Sequence, residues 1–89
     1  MKTIPTFTTG MNAGFTSSRN EYIDPCKSRI LKAIRKGNNE FKYILEYVTS
    51  GSINNLFRYG GTVFAEAIQE LRREGVIKYN DNLEGYYLA

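Results

Sequence analysis

The sequence predicts a mainly α-helical domain closed by a small C-terminal β-hairpin. Three observations carry that reading. Between residues 25 and 74, apolar side chains recur at helical spacing in separate blocks. Glycine punctuates the blocks, at Gly37, Gly51, Gly60-Gly61 and Gly75. Beyond Gly75 the pattern changes to two short β-prone runs around a polar turn.

Residues 1–22 are rich in Thr, Ser, Asn and Gly. Phe7, Met11 and Phe15 are spaced by four, but Gly10 and Gly14 between them argue against a helix. Residues 1–23 are therefore expected to form an N-terminal arm ahead of a domain spanning 24–89. Two readings of the arm stay open: a flexible tail, or a segment whose Phe7 and Phe15 dock on the domain or on a partner.

Asp24-Pro25 reads as a helix start, since Asp can cap free amides and Pro at the first helical position loses no hydrogen bond. Helix one is expected over residues 25–36, with Cys26, Ile30, Ala33 and Ile34 on one side and Leu31 at its margin. Gly37 supplies the left-handed stop. Asn38-Asn39 is the next expected cap, ahead of Phe41, Ile44, Leu45 and Val48 at i, i+3, i+4, i+7 spacing.

Ser52 can cap a short third helix holding Ile53, Leu56 and Phe57. Thr62 is expected to cap a fourth helix that runs through Glu74, with Val63, Phe64, Ala67, Ile68 and Leu71 as its apolar face. Val76–Tyr79 and Tyr86–Leu88 are the expected strands, and Tyr86 and Tyr87 alternate so that one faces inward and one out. Ile30, Ile34, Leu45, Phe57, Phe64, Ile68 and Leu71 together make the expected core.

Composition excludes several classes of function. The 89 residues include no histidine, which rules out Ser-His-Asp and Cys-His catalysis and Cys/His zinc sites. A chain this short leaves little concave space for a substrate pocket. A non-enzyme without metal or cofactor is expected. The single cysteine, Cys26, permits no internal disulfide and falls on an apolar helix face, where a buried structural thiol is expected. No apolar run reaches the ~18 residues of a membrane span, and the start lacks the apolar stretch of a secretory signal. A cytoplasmic protein with no membrane partner is expected.

The string Thr62-Val63-Phe64-Ala65-Glu66-Ala67-Ile68-Gln69-Glu70-Leu71-Arg72-Arg73-Glu74-Gly75-Val76-Ile77, followed by a hairpin ending Gly85-Tyr86-Tyr87-Leu88, resembles the winged helix-turn-helix superfamily. The likeness covers about residues 24–89 and is to small prokaryotic, phage or viral regulators. It implies a DNA-binding protein, a transcriptional regulator, with Thr62–Glu74 as recognition helix and Val76–Leu88 as wing. On that likeness Ile53–Tyr59 matches the first helix of the helix-turn-helix pair. The segment Phe41–Val48 is then an extra element, or is itself the positioning helix followed by a long loop. Some relatives of this kind bind proteins instead, so an adaptor or phage-encoded inhibitor on the same scaffold is the second hypothesis.

The candidate site follows from that frame. Thr62, Ala65, Glu66, Gln69, Arg72 and Arg73 are the expected base-reading residues, because Gln pairs with adenine, Arg with guanine, and Glu accepts from cytosine. Net charge is +3, and residues 25–36 alone carry +5 through Lys27, Arg29, Lys32, Arg35 and Lys36. Arg29, Lys32, Arg35, Lys36 and Arg58 are the expected contacts to the DNA backbone. Lys78, Asn80 and Asn82 are the expected wing contacts. Double-stranded DNA is the expected partner. A protein partner through the N-terminal arm, and homodimerisation, remain open. For each of these sets the plain alternative is a solvated surface or ordinary turn chemistry.

Overall fold

A computed structural model describes residues 19–89. Four helices and one antiparallel hairpin follow in order: α1 (Ile23–Arg35), α2 (Phe41–Thr49), α3 (Ile53–Tyr59), α4 (Gly61–Arg73), β1 (Ile77–Asn80) and β2 (Gly85–Leu88). The mainly helical class with a C-terminal hairpin is as expected. Residues 1–18, with Phe7, Met11 and Phe15, lie outside the described residues.

Helix α1 starts two residues before Pro25. Asn20 opens it, accepting from the Tyr22 amide through Oδ1 at 2.8 Å and from the Ile23 amide through its carbonyl at 3.2 Å. Asp24 is therefore not the cap. It lies in the first turn, where a carboxylate complements the helix dipole, and Pro25 beside it still gives up no bond. The folded unit also begins earlier than residue 24, because Ile23 is buried and Tyr22 packs edge-on against Tyr59 with ring centroids 6.1 Å apart. At the other end Gly37 takes φ +96°, and the amides of Gly37 and Asn38 close back on the carbonyls of Ile34 and Ala33 at 3.0 Å each. That pairing is the left-handed helix stop read from the sequence. Gly75 ends α4 in the same way, with the Val76 amide on the Leu71 carbonyl at 3.0 Å.

Two other caps differ from expectation. Neither Asn38 nor Asn39 caps α2, whose N-cap is Glu40. Their side chains are used elsewhere: Asn38 Nδ2 donates to the Ala33 carbonyl at 3.3 Å, and Asn39 Nδ2 to the Tyr86 carbonyl at 2.8 Å. Thr62 does not cap α4 either. Gly60 ends α3 and starts α4 at once, so the turn closes two residues sooner than a Thr62 cap would require. A Cβ at Gly60 would meet the Leu56 carbonyl oxygen at 2.6 Å. Ser52 does cap α3, its side chain accepting from the Asn54 amide at 3.1 Å.

The core lies where α1 meets α4, α2 and β2. Ile30, Ile34, Phe64, Ile68 and Leu71 are buried there as expected, together with Ile44, Val48 and Ile77, while Leu45 is partly buried at the edge. Phe41 sets its ring edge-on to Phe64 at 5.1 Å and so joins α2 to α4.

Phe57 is a correction. It is 77% exposed, and no residue of α3 is buried. The apolar arc of α3 is real, but it points outward.

In the hairpin, Ile77 pairs with Leu88 and Tyr79 with Tyr86, placing Ile77 and Tyr86 on the core side. Tyr87 on the other face is half-buried beside Ile34 and Arg35. The hairpin is tied to the α1–α2 connection by a reciprocal pair. The Tyr86 amide donates to the Asn39 carbonyl at 2.8 Å while Asn39 Nδ2 donates back. Gly85 permits that approach, since a Cβ there would stand 2.9 Å from the Asn39 carbonyl oxygen.

Candidate nucleic-acid interface

Helix α4 buries Val63, Phe64, Ala67, Ile68 and Leu71, the whole apolar face read from the sequence. At 100° per residue the opposite arc then carries Thr62, Ala65, Glu66, Gln69 and Arg73, all exposed. These five candidates stand together on one surface. Arg73 reaches back to Glu66 at 3.3 Å, an exposed pair of small energetic weight.

The two flanks of that arc differ. On the hairpin side, Arg72 lies over the Tyr86 ring, 5.9 Å from its centroid. On the α1 side, Glu70 and Glu74 meet Lys27, at 3.3 and 2.8 Å. Arg19 adds a forked contact to Glu70, with Nη2 at 2.8 Å from one oxygen, and joins Asp24 at 2.6 Å. The Arg19 guanidinium, assisted by the Lys27 ammonium, holds the Glu70 carboxyl down at about 2. The same contacts raise Arg19 and Lys27 above their ordinary values.

This network changes the charge that α4 presents. Counted by sequence, residues 62–74 net −1. With Glu70 and Glu74 neutralised by Lys27 and Arg19, the side chains left facing outward are Glu66, Arg72 and Arg73, which net +1. The sequence alone does not single out Arg19. Its partner Glu70 is 51 positions away, so no local pattern marks it.

A depressed carboxyl contributes stability that is fully present above its ordinary value of 4.5 and is lost as pH falls through about 2. Glu70→Gln is expected to flatten the stability profile across that window. Urea titrations of both proteins at several pH values between 2 and 5 check this, and parallel profiles would count against the Arg19–Glu70–Lys27 link.

The basic candidates of α1 divide differently from the sequence pattern. Arg29 turns into the fold: Nε donates to the Val48 carbonyl at 2.8 Å, Nη2 reaches the Ser50 carbonyl at 3.4 Å, and the guanidinium stacks 5.0 Å from the Tyr59 ring. Lys32, Arg35 and Lys36 stay exposed on the arc opposite Ile30 and Ile34. They lie at the end of α1, where positive charge favours the carbonyl end of the helix dipole. Because α1 and α4 pack through their buried arcs, these three point away from the outward arc of α4. The structure does not bring the two sets together.

Arg58 is exposed on α3, and Lys78, Asn80 and Asn82 are exposed on the hairpin. Asn80 also serves the turn, its Oδ1 accepting from the Leu83 amide at 3.0 Å. Cys26 is fully buried, with its Sγ 3.7 Å from the Tyr59 carbonyl, and burial pushes the thiol up to about 11.

Searches of family models, of curated proteins and of solved structures return no match to this chain. Among the described residues, no helix is long and apolar enough to cross a membrane.

Proposed function

We propose that this protein binds double-stranded DNA and acts by occupancy as a transcriptional regulator on a winged helix-turn-helix scaffold. The observation that carries the reading is the outward arc of α4. Thr62, Ala65, Glu66, Gln69 and Arg73 stand clear of the core between a neutralised acidic flank and the hairpin. Gln69 is the adenine-pairing group, Arg73 and Arg72 meet guanine or phosphate, and the hairpin serves as the wing through Lys78 and Asn82. In this arrangement α2 is the positioning helix, since it buries Ile44 and Val48 and braces α4 through Phe41. Helix α3, with no buried residue, is then an insertion ahead of the turn.

A gel shift with random duplex DNA at two salt concentrations tests the reading, because counterion release makes such binding fall steeply with salt. On a selected site, Gln69→Ala is expected to cost roughly 1–3 kcal/mol of affinity while leaving random duplex nearly unchanged. Equal loss on both duplexes, or none on either, would remove Gln69 from base reading.

A protein-interaction module is the second reading. It is favoured by Ile53, Leu56 and Phe57, which are 69%, 51% and 77% exposed on α3. No shift on any duplex at low salt would bring it forward.

A further inference from the structure

The strand register leaves one edge of the hairpin only partly paired. In an antiparallel pair, opposed residues alternate between those that exchange both backbone hydrogen bonds and those that exchange none. The Tyr86 amide is engaged by the Asn39 carbonyl, and the Ala89 amide donates to the Val76 carbonyl at 3.0 Å. Tyr79–Tyr86 and Ile77–Leu88 are therefore the pairs that exchange none. The N–H and C=O of Leu88 thus face outward on the same edge of β2 as those of Tyr86. Asn39 takes both groups of Tyr86, but among the described residues nothing pairs with those of Leu88.

Beside that edge runs an open groove of about 500 Å³, lined by Ile34, Arg35, Asn39, Tyr87 and Leu88. Leu88 is 45% exposed there, a large apolar side chain at the mouth of the groove. The rim is basic. Arg35 stands on it, with Lys32 one helical turn back and Lys36 adjacent, all three exposed. None of them forms an ion pair among the described residues, and residues 25–39 contain no acid.

We infer that this groove takes an extended acidic segment of a partner protein, laid along β2 as a further strand that continues from Asn39. A peptide backbone supplies both the acceptor and the donor that the Leu88 N–H and C=O require. In an extended segment successive side chains point to opposite faces, so apolar residues cover Leu88 and Ile34 while carboxylates at alternate positions meet Arg35. Lys32 and Lys36 add attraction that steers the segment in. Glu40, next to Asn39, is the nearest acid in sequence and offsets one of these three positive charges.

Other occupants match only half of this. Nucleic acid brings negative charge but no amide backbone. A second copy of the chain brings a strand edge, yet neither of its strands carries an acidic residue. The inference does not depend on DNA binding, because the groove lies away from the outward arc of α4.

The probe is an acetylated, amidated octapeptide of alternating Val and Glu, with its Val–Lys counterpart as control. In the free chain, the Leu88 amide is expected to exchange about tenfold faster than that of Tyr86, since an unpaired amide needs no opening event. Saturating Val–Glu peptide is expected to slow Leu88 about fivefold or more while the amides of α4 keep their rates. Lys32→Ala with Arg35→Ala, both at exposed positions, is expected to weaken the peptide about tenfold without altering the circular dichroism. A Leu88 amide already as slow as that of Tyr86 in the free chain would overturn the proposal, as would absence of peptide binding. Binding that leaves Leu88 exchange unaltered, or equal binding of the Val–Lys control, would overturn it too. Random duplex DNA that slows Leu88 where the peptide does not would assign the groove to nucleic acid, and protection that grows with protein concentration would assign it to a second copy.

Discussion

Replacing Leu71 with Ala is expected to lower the unfolding free energy by about 2–5 kcal/mol, the cost of deleting a buried leucine plus that of the cavity left behind. Leu71 is 2% exposed and lies in one core cluster with Ile30, Ile68 and Ile77. Its carbonyl also receives the Val76 amide at the turn into β1, so the side chain and the backbone at this position stabilise the same junction. Little relaxation is available there, because α1, α4 and the hairpin all converge on the cluster. Urea denaturation read by far-ultraviolet circular dichroism checks the value. A loss below about 0.5 kcal/mol would mean that α4 is not packed as described.

The second large effect concerns DNA. Arg72→Ala with Arg73→Ala is expected to weaken binding to every duplex by about 3–6 kcal/mol, since hydrogen bonds to charged groups contribute about 1.5–3 kcal/mol each. It should also reduce the log–log salt slope by about one to two, one for each phosphate left without its guanidinium. Both side chains are exposed, so the fold should survive, as circular dichroism can verify. Lys32→Ala with Arg35→Ala makes the contrast. These residues lie on the outward arc of α1, away from α4, and their loss should leave affinity and slope nearly unchanged. The reverse outcome, with α1 dominating, would move the DNA-facing surface to the other side of the domain.

That contrast marks where the sequence is informative and where it is not. The apolar face of α4 is fully legible, because five residues at helical spacing leave one way to bury them. The stops at Gly37 and Gly75 are legible because a left-handed residue after a helix is a local requirement. The start of α1 is less so, since the turn at Asn20 offers an opening two residues earlier than Asp24-Pro25 suggests.

Helix α3 shows a different limit. Periodicity locates the apolar side of a helix but carries no information on whether anything lies against it, so Phe57 reads as core. Charge shows the same limit on the candidate site. The five basic residues of the segment 25–36 look like one surface in sequence, yet Lys27 is used on Glu70 and Glu74 and Arg29 on the Val48 carbonyl. Their partners are 43, 47 and 19 positions away, beyond any local pattern.

The reciprocal hydrogen bonds between Asn39 and Tyr86 make the seat of the hairpin depend on the packed helices. They join positions 47 residues apart, and closing so long a loop carries an entropic cost that only the packed helices offset. The strand that carries Tyr86 follows the four described helices in the chain. Without the strand from Gly85 onward, the α1–α2 connection would lose both of its hydrogen bonds to the hairpin, and the core would lose Tyr86 from its edge.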